Sequence, residues 1–321
     1  MAPKTETATA PRIVDITPSK LTRLKRPAPI GIVGAVAESV PGVSPVGLDI
    51  IQPGINTCPS KAVSFHGGAI GTGDPVQLLF WGSTWATLPD PANPGQLLFN
   101  TFTAAVKSIM SGPWISGLRQ YGIKRCSFGQ ALIASANPPI APATFNEPDV
   151  QGVVQGFIDG GLFPEPDEPG GRNLYVVVLP PNTIYGPGGA RGAHSNFDTG
   201  SIIDSDTAWY AWIGPQSLSG MTSTFCHEIA EMCTNPEGDG WFIDGAPPLC
   251  LEIGDLCNAV DGPLNGVNAE SYWSVYDGAC LIPTAWSVRR TLAGAGKKLG
   301  GKGLRSLQNP IPSMNSFIVD L

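Results

Sequence analysis

Glycine and proline punctuate this chain so closely that a helical bundle is excluded. There are 40 Gly and 32 Pro in 321 residues, more than a fifth of the total. Both residue types break helices and strands and favour turns, so regular elements must be short and separated by many loops. Hydrophobic residues make up 42% of the sequence, enough for a sizeable core. Between the turn signals, two hydrophobic periods alternate. Continuous apolar runs at Val76–Trp81, Leu174–Leu179 and Ala208–Ile213 predict buried strands. Helical spacing predicts helices over about 96–111, 148–159 and 220–233, each stopped by Gly-Pro, Gly-Gly or Asn-Pro. Shorter strands are expected around Trp241–Asp244 and Tyr272–Tyr276. Alternating strands and helices predict a mixed α/β (α+β) fold, a central mixed sheet flanked by helices.

The chain divides by composition into three parts. Residues 1–60 are rich in Pro, Ala and Thr without a sustained period and read as a flexible arm. Residues 61–286 form the globular domain, and residues 287–321 form a basic, Gly- and Lys-rich tail whose final apolar piece, Ser316–Leu321, suits an edge strand. Net charge is −7, but residues 31–286 hold 23 acidic and only 7 basic groups. An acidic body argues against nucleic acid as a partner, whereas the two basic ends suit contact with anionic surfaces. No run of 18 apolar residues occurs, so no membrane span is expected. The weakly apolar stretch Ile30–Ala37, broken by two glycines, makes no convincing signal peptide.

Seven cysteines are present, and five of them (Cys226, Cys233, Cys250, Cys257 and Cys280) fall within 55 residues. The C-x2-C pairs of structural zinc sites are absent. These cysteines are therefore either disulfide staples in an oxidising compartment or buried thiols.

The chemistry concentrates in Thr224-Phe225-Cys226-His227-Glu228-Ile229-Ala230-Glu231-Met232, which contains H-E-x-x-E. Residues four apart stand above one another on a helix, so His227 and Glu231 can reach one cation. Glu228 lies about 100° round the helix, where it can take a proton from an attacking water as a general base. The competing reading is a polar helical stripe in solvent, with Phe225, Ile229 and Met232 turned to the core. Downstream, Leu251-Glu252-Ile253-Gly254-Asp255 offers further carboxylates. His194, in Gly192-Ala193-His194-Ser195, reads as a histidine on a Gly-rich loop, either a further ligand or a hydrogen-bond donor to a tetrahedral intermediate. Tyr272 and Tyr276 suit either an oxyanion donor or an ordinary strand.

Over about 30 residues this pattern resembles the thermolysin-like (gluzincin) metallopeptidases, in which an H-E-x-x-H helix and a later glutamate bind zinc. The resemblance implies a zincin-like active-site helix and a metal set of His227, Glu231 and Glu252, the last 25 residues after the histidine. It also implies an orienting role behind the ligands for Asp255, Zn²⁺ as cofactor, and a peptide or protein substrate. Two carboxylates with one imidazole weaken the preference for Zn²⁺ over other divalent ions.

A broader resemblance covers most of residues 60–286. Phe65-His66-Gly67-Gly68 leading into Pro75–Gly82, Tyr210-Ala211-Trp212-Ile213-Gly214 and Thr234-Asn235-Pro236 are similar to the phosphate-induced protein/EXORDIUM-like family. That likeness implies a secreted or cell-surface protein, and its plant members carry no established catalysis. A non-catalytic module with a structural or calcium-binding acidic cluster is thus the alternative to a peptidase. Cysteines in matching places imply a Cys257–Cys280 bridge, and Cys233 with Cys250 is a second pairing open at this point.

Overall fold

A computed structural model describes residues 13–15, 31–34, 50–52, 58, 62–124, 126–135, 141–167, 172–201 and 204–283. Its centre is a seven-stranded mixed sheet. In chain order the strands are β1 (Ile13–Asp15), β2 (Gly31–Gly34), β4 (Asp74–Trp81), β5 (Cys126–Ser135), β6 (Leu174–Val178), β7 (Ala190–Ser201) and β8 (Asp204–Ile213). A further strand, β3 (Ile50–Gln52), belongs to a smaller sheet. Across the large sheet the order is β1-β5-β4-β6-β8-β7-β2. The neighbours from β1 to β8 run parallel, and the β8–β7 and β7–β2 pairs are antiparallel. Parallel strands need crossovers, and helices supply those from β4 to β5 and from β5 to β6.

The crossover helices are α1 (Leu98–Ser111) and α2 (Glu147–Asp159), and a third helix, α3 (Leu218–Thr234), follows β8. Side chains alternate across a strand, so one sheet has two apolar faces. Leu78, Phe80, Val176, Ala211 and Ile213 pack in one cluster with Phe102 and Ile109 of α1 and Phe225 and Ile229 of α3. Leu79, Trp81, Val177, Tyr210 and Trp212 pack in the other with Val150, Val154 and Phe157 of α2. The mixed α/β reading, with helices on both faces of a central sheet, therefore holds.

Local chemistry accounts for the helix ends. Asn146 and Asp149 form a capping box at the start of α2. The Ser217 hydroxyl accepts from the Gly220 amide, 3.2 Å, at the start of α3. Pro236, two residues past its end, cannot continue the helix.

Of residues 1–60, expected to form an arm, only 13–15, 31–34, 50–52 and 58 are described. Within that stretch, β1 pairs with β5, β2 pairs with β7, and β3 pairs with Ala279–Ile282. Strands of three or four residues are too short to display a hydrophobic period, which is why composition hid them. The tail 287–321, including Ser316–Leu321, lies outside the described residues. Among the described residues no helix is long and apolar enough to cross a membrane.

Two further hairpins complete the description. Strands β9 (Asp261–Leu264) and β10 (Val267–Glu270) pair with each other, and β11 (Tyr272–Ser274) pairs with β12 (Ala279–Ile282). Disulfides join Cys58 to Cys250 and Cys257 to Cys280, each with Cα atoms 5.5 Å apart. Cys250 is thus bonded to Cys58, and the Cys233–Cys250 pairing is corrected. Cys233 instead lies buried with its sulfur 3.3 Å from that of Cys126 on β5. Its place on the inner face of α3 turns it away from the loop that holds Cys250.

A buried histidine and carboxylate cluster as candidate metal centre

Helix α3 is buried all round from Met221 to Thr234, which rules out the solvent-stripe reading of its polar residues. Polar side chains enclosed in this way must find partners, because an unpaired buried charge costs several kcal/mol. Along one side of α3 stand His227, Glu228 and Glu231. Strand β7 brings His194 to them from the sheet, and the loop after Trp241–Phe242 brings Glu252 and Asp255. All six are at most 1% exposed.

The distances define a compact group. The His227 Nε2–Glu231 Oε1 separation is 3.1 Å, the one-turn spacing read from the sequence. His194 Nδ1 lies 3.3 Å from Glu228 Oε2 and 3.4 Å from Glu231 Oε2, and its Nε2 lies 3.6 Å from Glu252 Oε1. His227 Nε2 is 3.9 Å from Asp255 Oδ1. Two sets of three residues can each offer ligand atoms lying within 4.8 Å of one another. These are His194, Glu231 and Glu252, and His227, Glu231 and Asp255. Glu231 belongs to both, whereas His227 and Glu252, expected to share one ion, fall into different sets.

Neighbouring groups fix these side chains. The Asp255 amide donates to Glu231 Oε1 (3.0 Å), and the Asn235 side chain donates to Glu252 Oε1 (2.7 Å). Asp255 Oδ2 accepts from the amides of Leu251 and Glu252, so this carboxylate sets the loop as well as facing His227. Behind His227 stands Glu270 of β10, whose Oε1 lies 2.9 Å from Nδ1 and whose Oε2 accepts from the Ser223 hydroxyl. Glu270 therefore stands behind His227, the place that the resemblance to metallopeptidases gave to Asp255. A lone carboxylate in the four-residue strand Val267–Glu270 carries no sequence signal of this contact.

Other expectations are displaced. His194 lies within β7, not on a loop, paired opposite Ala211 of β8. The glycine that suggested a loop, Gly192, serves a close approach. A Cβ there would come within 2.5 Å of Thr224 Cγ2 and 2.7 Å of Glu228 Oε1. Tyr272 is buried with its hydroxyl donating to the Trp114 carbonyl (3.0 Å), so it supplies no oxyanion donor. Tyr276 is 39% exposed, and His66 stacks on the Phe242 ring, outside the cluster.

Electrostatics follow from the crowding. Burial alone would pull both histidines below their ordinary range, but the carboxylates around them outweigh it and hold both well above. Burial pushes Glu228 up to about 7, against the downward pull of His194 and His227. Glu252 and Asp255 are raised by burial and by the Glu231 charge. Glu231 alone is lowered, because His227 and His194 outweigh its burial.

Several atoms in the cluster have no hydrogen-bond partner although they are buried: His194 Nε2, His227 Nε2, Glu228 Oε1, Glu231 Oε2 and Glu252 Oε2. Imidazole nitrogens and carboxylate oxygens are the donors that divalent ions take, so these buried His and Glu groups could hold a metal ion.

Comparison with known proteins is narrow. No family model matches the chain, and no solved structure matches it. Two curated proteins of Arabidopsis thaliana are similar over 53 residues. Protein EXORDIUM-like 3 is 40% identical over 16% of this chain and 16% of its own length. Protein EXORDIUM-like 5 is 38% identical over 16% and 15%. The chain thus matches less than a fifth of either relative. Thermolysin-like metallopeptidases gain no support from these comparisons, and the likeness that stands is a partial one to EXORDIUM-like proteins.

Proposed function

We propose that this chain is a metal-dependent hydrolase of peptide bonds, with Glu231 as the central ligand and Glu228 as general base. The observation that carries the reading is the convergence of buried imidazole and carboxylate atoms beside Glu228. The remaining donors are His194 with Glu252 in one set and His227 with Asp255 in the other, and zinc suits the mixed nitrogen and oxygen character of either. A bound divalent ion supplies Lewis-acid polarisation of the substrate carbonyl and makes water a better acid. Glu228 is buried beside these donors, where it can exchange protons with a water. Its carboxylate takes a proton from water as the water oxygen bonds to the carbonyl carbon. It returns that proton to the amide nitrogen as the C–N bond breaks. His194 Nδ1, 3.3 Å from Glu228 Oε2, positions that carboxylate. The disulfides suit an oxidising, extracytoplasmic setting.

A second reading has its own observation. Every candidate ligand is enclosed, and closed sites are characteristic of structural metal centres. In that reading the chain is a non-catalytic EXORDIUM-like module, stabilised by an ion such as calcium. Wild type and Glu228→Gln separate the two. Both should hold the ion, and hydrolysis of a casein-type substrate should fall by about 10²–10⁴-fold in the variant. Equal ion content with no hydrolysis by either protein supports the module.

A further inference from the structure

We infer that the cluster holds two cations, not one, with the Glu231 carboxylate bridging them. This rests on the metal reading above but not on peptide hydrolysis. Donor atoms about 2.0–2.2 Å from an ion can be no more than roughly 4.4 Å apart. Among the described residues, no set of mutually close ligand atoms contains both His194 and His227. One ion therefore does not meet both imidazoles together with a shared carboxylate where they stand. Each histidine has its own company instead: His194 with Glu252, and His227 with Asp255.

Glu231 divides its two oxygens between these companies. Oε1 faces His227 Nε2 at 3.1 Å, and Oε2 faces His194 Nδ1 at 3.4 Å. A carboxylate disposed in this way is suited to bind one ion through each oxygen, as in two-metal hydrolases whose ions sit about 3.5–4 Å apart. Charge points the same way. Five carboxylates (Glu228, Glu231, Glu252, Asp255 and Glu270) are buried around two imidazoles. One divalent ion offsets two of those charges, and a pair offsets four. Enclosed carboxylates need that compensation. The backbone is shaped for the approach as well. A Cβ on Gly254 would come within 2.8 Å of Glu231 Oε1 and 3.2 Å of His227 Cε1.

The full chain, loaded with Zn²⁺ or Mn²⁺ and dialysed, tests the inference by elemental analysis and native mass spectrometry. Two ions per chain are expected, falling to one in His194→Gln and to one in Asp255→Asn. Because either variant may fail to fold, electron paramagnetic resonance of the Mn²⁺-loaded wild type gives an independent reading. A coupled pair shows halved hyperfine spacing. One ion per chain with an uncoupled six-line signal overturns the bridge and leaves the single-ion hydrolase standing. Two ions in a protein that cleaves no peptide support the bridge and remove the peptidase reading. A chain that binds neither metal overturns both.

Discussion

Glu270 sets the orientation of His227, and its replacement should show in the metal before it shows in the fold. Its Oε1 lies 2.9 Å from His227 Nδ1, which directs Nε2 toward Glu231. Groups behind a ligand histidine are commonly worth 10–100-fold in metal affinity. Glu270→Gln should weaken Zn²⁺ binding by about that factor in a chelator competition, with near-ultraviolet circular dichroism unchanged. Unchanged affinity would mean that Nδ1 needs no acceptor. Away from the cluster, Asp74 links stability to pH. Burial raises its carboxyl from 3.8 to about 6, against hydrogen bonds from the Thr72 and Arg172 amides. A raised folded-state pKa favours the folded chain while the group is protonated. That contribution is complete below about 3.8 and lost as pH rises through 6. The stability of wild type relative to Asp74→Asn should thus fall by about 2 kcal/mol between pH 4 and pH 7 in urea titrations. A pH-independent difference contradicts the assignment.

Helix α3 joins the core to the candidate site. Phe225 and Ile229 pack against β4, β6 and α1, while His227, Glu228 and Glu231 face the cluster. This packing holds those three side chains in place, so core and candidate site should fail together. Phe225→Ala should cost about 3–5 kcal/mol of stability by leaving a cavity, read as a lowered denaturant midpoint, and should weaken metal retention with it. Retention of metal at wild-type affinity would separate the two. Much of this element was legible in the sequence: its span, its Asn-Pro stop, and the stacking of His227 over Glu231. Other contributions were not. Gly192 reads as a loop signal because sequence alone does not show that Thr224 and Glu228 occupy the space a Cβ would need. His194 was accordingly placed on a loop and not on β7, although it was singled out as a candidate site residue. Glu270 escaped notice because one carboxylate in a four-residue strand carries no period and no motif.

For the whole molecule, the order of the sheet strands reflects long-range closure that local patterning does not encode. The central strands β4, β6 and β8 were visible as apolar runs because both their faces are buried. Strands β1, β2 and β3 were invisible because each is only three or four residues long and contributes through backbone pairing. The Cys58–Cys250 bridge spans 192 residues and ties the segment after β3 to the loop that carries Glu252. Loss of a disulfide from a small extracellular domain commonly costs about 2–5 kcal/mol. The double variant Cys58→Ser, Cys250→Ser should fall in that range in denaturant titrations. An unchanged midpoint would mean that the bridge constrains nothing the fold needs.

The account depends most on Glu231, the residue common to both sets of ligands. Isothermal titration of Zn²⁺ into metal-free wild type and Glu231→Gln reads that dependence directly. Saturable binding by wild type and none by the variant, with the variant still folded by circular dichroism, is the predicted result. Zn²⁺ binding of equal affinity by both proteins contradicts it, because the ion would then lie elsewhere.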